Sequence, residues 1–331
     1  MVLSSRQNKS LNPKNFKSVR VLITAQPLVN LREEFEALTK IYDFEVTWKQ
    51  SPQAVAEVEL FNMIGKFDGW ILGDDPCTRK VLKAGKLGNL KAIVKWGIGV
   101  DNIDLKAVED MSLGFSNTPN VFGNEVADLA MANLINLSRH TIEIHSAVKS
   151  GYWIKPVGQS LAGMKVALVG FGDIGQQIYR RLEVVGAEIF IYEIDQEKFK
   201  GFKNLNVRLW PDDLNDMDAI IFACSLNEHN YKMLDRQTIE RTKQGILIVN
   251  ISRGGLISQN DLEESLANGH IGGAALDVYD IEPLPHTSPL RQYKNVILGT
   301  HNASNTRQAV IRASRMAFLK LHSLMREKLM E

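Results

Sequence analysis

The chain has 331 residues, of which 44% are hydrophobic and 23% charged, values typical of a globular protein and a length that favours two domains. The formal net charge of +1 argues against a polyanionic partner, so we expect no nucleic acid to bind. No apolar run approaches the length of a membrane span, and no apolar segment follows the basic N-terminal residues as in a secretory signal, so we expect no membrane partner.

Cysteines and the N-terminal residues give weaker indications. Cys77 and Cys224 have the spacing of neither a disulfide framework nor a zinc site, which favours a reducing cytoplasm and predicts no metal. The first twenty residues are basic and contain no acid. This arm is more typical of a solvated N-terminus than of a nucleic-acid or targeting segment, and the basic residues are Arg6, Lys9, Lys14, Lys17 and Arg20.

The first part of the chain alternates apolar strands with helices. Strands are predicted at 19–25, 67–73 and 90–97, with a helix at 31–41 and another in "TRKVLKAG". Near-continuous apolar runs of this kind are typical of parallel strands that are covered on both faces. We therefore expect one α/β unit here.

A long helical stretch follows, from about Asn124 to Lys149. Its first half, "VADLAMANLINL", is apolar on most faces, which predicts burial in a core or against a partner chain. The segment 150–165 then loses periodicity and contains three glycines and a proline, so we expect a linker or an extended arm.

A second α/β series begins at Lys165. One of its helices is predicted to start at Ser258, with capping-box spacing to Asp261 and with Gly269 at its C-terminal end. The alternation predicts a parallel, doubly wound sheet. Its strands are expected at 166–170, 188–192, 218–224, 245–251, 271–278 and 295–300.

A glycine-rich turn opens this second series. Gly170, Gly172 and Gly175 satisfy the GxGxxG pattern between a strand and a helix, where the helix N-terminus offers N–H groups to a pyrophosphate. Asp173 and Ile174 lie inside the turn and are expected near the cofactor. The strand–turn–helix context makes the pattern much more specific than three glycines alone, and it predicts a dinucleotide site.

An acid ends the next strand, at Glu193. A carboxylate at this point accepts the ribose hydroxyls of an adenosine and repels a 2′-phosphate, so NAD is favoured over NADP. The alternative, a solvated acid at a strand end, is much weaker once the glycines are present. Glu193 is therefore predicted to bind the cofactor.

Polar residues collect where the later strands end. Because the carboxyl ends of parallel strands meet at one edge of a sheet, these residues should converge on the dinucleotide. Each one has an ordinary structural interpretation, but an arginine, a carboxylate and a histidine together indicate hydride transfer to an anionic carbonyl substrate. The residues are Cys224, Ser225 and Ile251 near the cofactor, and Arg253, Asp277, Glu282 and His301.

Six segments in order resemble the D-isomer-specific 2-hydroxyacid dehydrogenases, particularly the phosphoglycerate dehydrogenase-like members: "KWGIGVDNIDL", "SNTPNVFGNEVADLA", "LVGFGDIG", "NISRGGLI", "LDVYDIEP" and "THNAS". The resemblance implies a Rossmann-type NAD domain, 121–301, inserted in a flavodoxin-like substrate domain, 1–120 with 302–331. It also implies crossover hinges and a homodimer through the nucleotide domain, which fits the apolar helix after Asn124.

The resemblance also implies roles for the strand-end residues. His301 resembles the family's acid/base, and Glu282 resembles its carboxylate partner, which favours the imidazolium form. Arg253 resembles the residue that binds the substrate carboxylate and polarises the carbonyl. Asp277 resembles the residue that orients the nicotinamide carboxamide.

Substrate contacts are expected in the earlier glycine loop. Backbone N–H groups of Gly97, Ile98 and Gly99 resemble the loop that grips the substrate carboxylate, and Lys95 is either a further anion contact or a strand-end lysine. Gly73 stands where many phosphoglycerate dehydrogenases carry a substrate-binding arginine. The phosphorylated substrate 3-phosphoglycerate is nevertheless the first candidate among D-2-hydroxy acids and their 2-oxo acids.

Two alternatives stay open from the sequence. One is a glyoxylate or hydroxypyruvate reductase, which shares the chemistry and differs in substrate. The other is a non-catalytic NAD(H)-sensing protein resembling the corepressors that share this fold.

Overall fold

The computed structural model describes residues 18–330, and these divide into two compact units. Unit 1 contains the described residues up to Val94, then Leu105–Ser116 and the residues from Phe318 onward; unit 2 contains Lys95–Asp104 and Asn117–Ala317. Most of the predicted basic arm lies outside the described residues. Arg20 is described, and it pairs with Asp68 at 3.3 Å within unit 1.

The strands alternate with helices along the whole described chain. The strands are β1 Val19–Ile23, β2 Phe44–Trp48, β3 Gly69–Leu72, β4 Ala92–Lys95, β5 Gly114–Asn117, β6 Lys165–Val169, β7 Glu188–Tyr192, β8 Asn206–Arg208, β9 Ala219–Phe222, β10 Ile246–Asn250, β11 Ile271–Leu276 and β12 Val296–Leu298.

The α-helices are α1 Gln26–Asn30, α2 Glu36–Ile41, α3 Glu57–Met63, α4 Arg79–Leu87, α5 Leu105–Asp110, α6 Gly123–Ser138, α7 Thr141–Lys149, α8 Asp173–Val184, α9 Arg236–Glu240, α10 Gln259–Ala267 and α11 Arg307–Met330. Short 3₁₀ turns lie at Arg32–Phe35, Ile64–Lys66, Gln196–Phe199, Leu214–Asp216, Gly254–Leu256 and Pro289–Gln292.

Unit 1 is built on a parallel sheet of five strands in the order β2-β1-β3-β4-β5. β3 and β4 are buried along their whole length, as expected for central strands that are covered on both faces. At the edge, β2 alternates between exposed residues and residues that are buried or half-buried. The strand order is that of flavodoxin-like sheets.

Unit 2 is built on a seven-stranded parallel sheet in the order β12-β11-β10-β9-β6-β7-β8. β6 lies between β7 and β9, so the direction of winding reverses between β6 and β9. In open α/β sheets, ligands bind beyond the carboxyl ends of the strands at such a reversal. The predicted fold class, two doubly wound parallel sheets of Rossmann and flavodoxin type, is confirmed.

Several predicted elements have different bounds. The single helix expected from Asn124 to Lys149 is two helices, α6 and α7, because His140 adopts a left-handed backbone with φ +53°. The helix expected at 31–41 is a 3₁₀ turn followed by α2. The strands β2, β5 and β8 and the helix α3 have no counterpart among the elements predicted above.

The predicted capping box at the start of α10 is wrong. Ser258 precedes the helix but its side chain makes no capping hydrogen bond, and Asp261 instead accepts the backbone N–H of Arg236. Gly269 has φ +76° just past the helix, as predicted for that end.

The predicted domain bounds, 1–120 with 302–331 and 121–301, stay a prediction about functional domains. As compact units, the described residues divide instead at 116/117 and 317/318, and the loop 95–104 belongs to unit 2. Among residues 18–330, no helix combines the length and apolar character needed to cross a membrane.

Candidate active site

The glycine turn after β6 is shaped by backbone contacts. Gly170 has φ +99°, and a Cβ there would lie 2.5 Å from the backbone nitrogen of Cys224. A Cβ at Gly175 would overlap the carbonyl oxygen of Gly170, so only glycine lets α8 start this close to the strand. A Cβ at Gly172 would meet none of the described residues within 4 Å. Packing of the described residues does not require that glycine, and its predicted contact with a pyrophosphate stays a prediction.

Asp173, at the first turn of α8, faces the start of α6. Its carboxylate accepts the backbone N–H of Gly123, and a Cβ on Gly123 would lie 2.6 Å from Asp173 Oδ1. Burial raises the pKa of Asp173 above its ordinary value, while the Gly123 bond opposes the shift. Asp173 Oδ2 is buried without a hydrogen-bond partner among the described residues. Next to it, Ile174 is half-buried in the same turn.

Glu193 lies directly beyond β7 and beside the glycine turn. Its Oε2 accepts the N–H of Phe171 at 2.9 Å and the ammonium of Lys198 at 2.9 Å, and its Oε1 accepts the N–H groups of Ile194 and Asp195. Burial alone would raise the pKa of Glu193, but Lys198 and the backbone donors outweigh it, so this pKa lies below its ordinary value. The acid is therefore ionised and next to the turn, as a ribose-binding acid requires.

The predicted cofactor residues beyond β9 and β10 lie on the same edge. Cys224 follows β9 and its carbonyl accepts the hydroxyl of Ser252, while the carbonyl of Ser225 accepts Asn230 Nδ2 at 2.7 Å. Burial raises the pKa of Cys224 to about 12, so it is a neutral thiol at physiological pH. Ile251 is buried immediately beyond β10.

Arg253 is held by polar groups that sequence analysis did not single out. Asp101 Oδ1 accepts Arg253 Nε at 2.9 Å, and the carbonyl of Ser252 accepts Nη1 at 2.8 Å. Asn250, buried at the end of β10, donates to the Arg253 carbonyl and accepts the Ser252 N–H. The sequence signal for Asp101 is its place inside "GIGVDNID". An acid in a predicted anion-binding loop needs a cation beside it, so a partner such as Arg253 could be expected.

The loop Gly97–Gly99 lies against Arg253 within unit 2. A Cβ on Gly99 would overlap Arg253 Nη2, so this glycine makes room for the guanidinium. Gly97, with φ +143°, donates its N–H to Thr118 Oγ1 at 2.8 Å, while the carbonyl of Ile98 accepts Asn117 Nδ2. Among the described residues, the N–H groups of Ile98 and Gly99 have no backbone or side-chain acceptor at hydrogen-bond distance, which leaves them for an anion.

Lys95 ends β4 and is only 2% exposed. A Cβ on Gly97 would lie 3.1 Å from Lys95 Cε, so the lysine stem packs under the loop. Of the two predictions for Lys95, this geometry favours a structural lysine that supports the loop.

His301 follows β12 and pairs with Glu282. Its Nδ1 lies 2.8 Å from Glu282 Oε2, and both side chains are about a quarter exposed. Glu282 Oε1 accepts the N–H of Tyr279 at 3.0 Å, which fixes the carboxylate. Because Nδ1 is engaged, Nε2 is the ring atom that can exchange a proton with a ligand.

Asp277 supports the histidine loop. Its two carboxylate oxygens accept the N–H groups of Asn302 and Ala303 at 3.0 and 2.8 Å, and its carbonyl accepts the His301 N–H at 2.6 Å. Burial raises the pKa of this 1% exposed carboxyl group, and the two backbone donors oppose that rise. The contacts give Asp277 a loop-holding role, and its predicted contact with nicotinamide stays a prediction.

One edge of the sheet in unit 2 therefore carries the predicted catalytic set. β10, β11 and β12 are adjacent and in register, with Asn250 paired to Leu276 and Leu276 to Leu298. Arg253 follows the first strand, Glu282 the second and His301 the third. An ion-paired arginine and a carboxylate-paired histidine can bind an acid group and exchange a proton. No group of three or more metal-ligand side chains occurs within residues 18–330.

Comparison with known proteins agrees with this arrangement. The family model "D-isomer specific 2-hydroxyacid dehydrogenase, NAD binding domain" matches residues 131–303. A glyoxylate reductase of Korarchaeum cryptofilum is 32% identical over 251 residues, 73% of this chain and 74% of the relative. A D-3-phosphoglycerate dehydrogenase of Bacillus subtilis is 32% identical over 228 residues, which are 68% of this chain but only 43% of that protein.

The solved structure of the TT0316 protein from Thermus thermophilus superposes with a TM-score of 0.80 at 26% identity, covering 93% of this chain and 97% of that one.

The chain belongs to the family of D-isomer-specific 2-hydroxyacid dehydrogenases. It is an NAD-dependent oxidoreductase that acts on CH–OH groups, and the glycine turn with Glu193 fits the cofactor NAD(H). The predictions of family, enzyme class and cofactor are confirmed.

Proposed function

We propose that this enzyme interconverts a small, unphosphorylated D-2-hydroxy acid and its 2-oxo acid, with glyoxylate and hydroxypyruvate as the first substrates to test. The observation that carries the chemistry is the His301–Glu282 pair at 2.8 Å, one strand away from the Asp101-held Arg253. NAD(H) supplies or accepts the hydride, and the residues of this chain supply position, charge and a proton.

The proposal assigns tasks to side chains and to backbone N–H groups. Arg253 and the N–H groups of Ile98 and Gly99 bind the substrate carboxylate, with the planar guanidinium also polarising the carbonyl. His301, protonated beside Glu282, gives its Nε2 proton to the carbonyl oxygen during reduction and takes it back during oxidation.

The preference for an unphosphorylated substrate rests on the resemblance, in which Gly73, in the turn after β3, stands where many phosphoglycerate dehydrogenases carry a substrate-binding arginine. A Cβ on Gly73 would lie 3.1 Å from Ala25 Cα, so this backbone has little room for an arginine side chain. The Gly73 N–H donates to the buried Asp75 at 3.0 Å, and Asp74 is exposed beside it. A glycine in place of that arginine takes away a cation that would pair with a phosphate, which favours a neutral substrate tail. The family resemblance alone places 3-phosphoglycerate first, and this turn argues against it.

A substrate panel tests the proposal. NADH oxidation is followed with glyoxylate, hydroxypyruvate, pyruvate and 3-phosphohydroxypyruvate. We expect the highest kcat/KM with one of the unphosphorylated acids. A higher kcat/KM with the phosphorylated acid would reverse the substrate assignment and leave the chemistry intact, whereas NADH binding without turnover of any 2-oxo acid would favour the NAD(H)-sensing alternative.

The proposed assembly is a homodimer through unit 2, in the cytoplasm. Its support is the arm 150–163, where Tyr152, Trp153 and Val157 are 68, 80 and 94% exposed. Large apolar side chains grouped on one extended segment are typical of an interface. Cys77 and Cys224 form no disulfide among residues 18–330, which is compatible with a reducing compartment.

A further inference from the structure

The carboxylate of Glu193 is already saturated with hydrogen bonds. Its two oxygens accept four donors: the backbone N–H groups of Phe171, Ile194 and Asp195, and the ammonium of Lys198. A carboxylate has about four lone-pair sites in all. A ribose hydroxyl can therefore donate to Glu193 only if one of these four donors leaves.

Only one of the four donors can leave without moving the main chain. Three are backbone groups of the turn after β6 and of the segment after β7, whereas Lys198 is a flexible side chain that is 39% exposed. Its backbone is fixed, because Gln176 Nε2 donates to the Lys198 carbonyl at 3.1 Å and Asp195 caps the 3₁₀ turn Gln196–Phe199. The ammonium can therefore swing away from Glu193 and remain close to it.

We propose that Lys198 is a specificity-determining residue for the cofactor: it competes with the adenosine ribose for Glu193 and weakens the discrimination against NADPH. This inference rests on the proposed role of Glu193 as the ribose acceptor. An unpaired carboxylate would repel a 2′-phosphate strongly, but an ammonium 2.9 Å from the same carboxylate offsets that charge. Once displaced, the same ammonium is within reach of a 2′-phosphate.

The chain provides a matched control nearby. Lys200 lies two residues further on, is exposed, and pairs with Glu197 rather than Glu193. Lys198→Gln and Lys200→Gln remove the same charge from the same segment, and only the first removes a donor from Glu193.

The test measures dissociation constants of NADH and NADPH by nicotinamide fluorescence, without any substrate. We expect Lys198→Gln to bind NADPH more weakly and NADH at least as well, so that the preference for NADH rises about tenfold, equivalent to ~1.4 kcal/mol. Lys198→Arg should restore NADPH binding, and Lys200→Gln should change the preference less than about twofold.

Two results would overturn the inference. One is an unchanged preference for NADH over NADPH in Lys198→Gln. The other is an equal rise of that preference in Lys200→Gln, because the general charge of the segment, rather than the donor to Glu193, would then set the preference. If the unmodified protein bound neither dinucleotide, the cofactor site itself would be refuted. Failure of the inference is therefore separate from failure of the proposed function.

Discussion

His301 combines a functional ring with an unusual backbone. Its φ of +54° lies in the left-handed region, which costs a non-glycine residue of the order of 1 kcal/mol. Asp277 holds this conformation through its bonds to the backbone of His301, Asn302 and Ala303. The strained turn directs the imidazole toward Glu282, so the position of His301 depends on the backbone contacts that Asp277 makes.

Replacing His301 tests the proton transfer. His301→Ala removes the only group assigned to the carbonyl proton, so kcat should fall by about 10²–10⁴-fold while the Kd of NADH stays within about twofold. Steady-state kinetics and fluorescence titration measure the two effects. The exposed His286→Ala should behave as the unmodified enzyme. Full turnover by His301→Ala would exclude the acid/base role.

Replacing Gly99 tests whether this glycine positions the guanidinium of Arg253. Because a Cβ there overlaps Arg253 Nη2, Gly99→Ala should push the guanidinium aside without disturbing the main chain. We expect KM for the 2-oxo acid to rise about tenfold or more, with an unchanged melting temperature and NADH affinity. If the two residues act together, adding Gly99→Ala to Arg253→Ala should cost nothing further, and additive losses in that double variant would contradict this account.

Cys224 gives a prediction about pH. Burial raises its pKa to about 12, so the thiol form persists through neutral pH and reactivity should increase only as the pH approaches that value. In a Cys77→Ser background at pH 8, we expect a thiol reagent to label the native protein at least about a hundredfold more slowly than the denatured chain. Rapid stoichiometric labelling of the native protein would show that the thiol is not buried.

At the scale of elements, the predictable parts are those that local patterns specify. The strands β6, β7, β9, β10 and β11 were predicted within a few residues, because unbroken apolar runs between glycines and helices have few alternative structures. The half-exposed edge strands β2 and β8 carry no such run, and the break between α6 and α7 depends on one left-handed residue, His140. The positions of these edge strands and of this helix break depend on neighbours that are distant in sequence.

The same distinction applies to the site. The glycine turn, Glu193, Arg253, Glu282 and His301 carry motif spacing, and the sequence therefore predicts all of them. Asp101 and Lys198 are not predicted, because their roles come from partners 152 and 5 residues away that only the folded chain brings to 2.9 Å. Whether the predicted residues act as assigned stays a prediction for the variants above.

The middle of α11 anchors unit 1 through an aromatic cluster. The fully buried ring of Phe318 lies 6.2 Å from Phe35 and from Phe44 and 6.4 Å from Tyr42. Phe318→Ala should lower the free energy of unfolding by about 3–5 kcal/mol. Guanidinium unfolding followed by circular dichroism measures this loss.

The neighbouring Leu319 provides the control for that variant, since it lies on the same helix and is largely exposed. Leu319→Ala should cost less than about 1 kcal/mol. Equal losses in the two variants would indicate a general effect on the helix rather than packing of the ring.

At the scale of the whole molecule, the exposed arm predicts assembly. Trp153→Ser together with Tyr152→Ser should convert the proposed dimer into a monomer, as measured by light scattering after size-exclusion chromatography. Val184→Ser, an equally exposed apolar position on α8, should leave the mass unchanged. A monomeric unmodified protein, or a dimer that survives the double change, would rule out this interface.

The chain passes from one unit to the other four times, at 94/95, 104/105, 116/117 and 317/318. Ribosomal synthesis therefore produces all five strands of unit 1 before β6, while the segment that contains Phe318 emerges some 200 residues after β5. Until then the apolar residues that Phe318 covers, among them Phe35 and Phe44, lack this packing partner. Unit 2 can be complete first, so a nascent or clipped chain ending near Ala317 would retain the glycine turn after β6 while the sheet of unit 1 remained a target for chaperones and proteases.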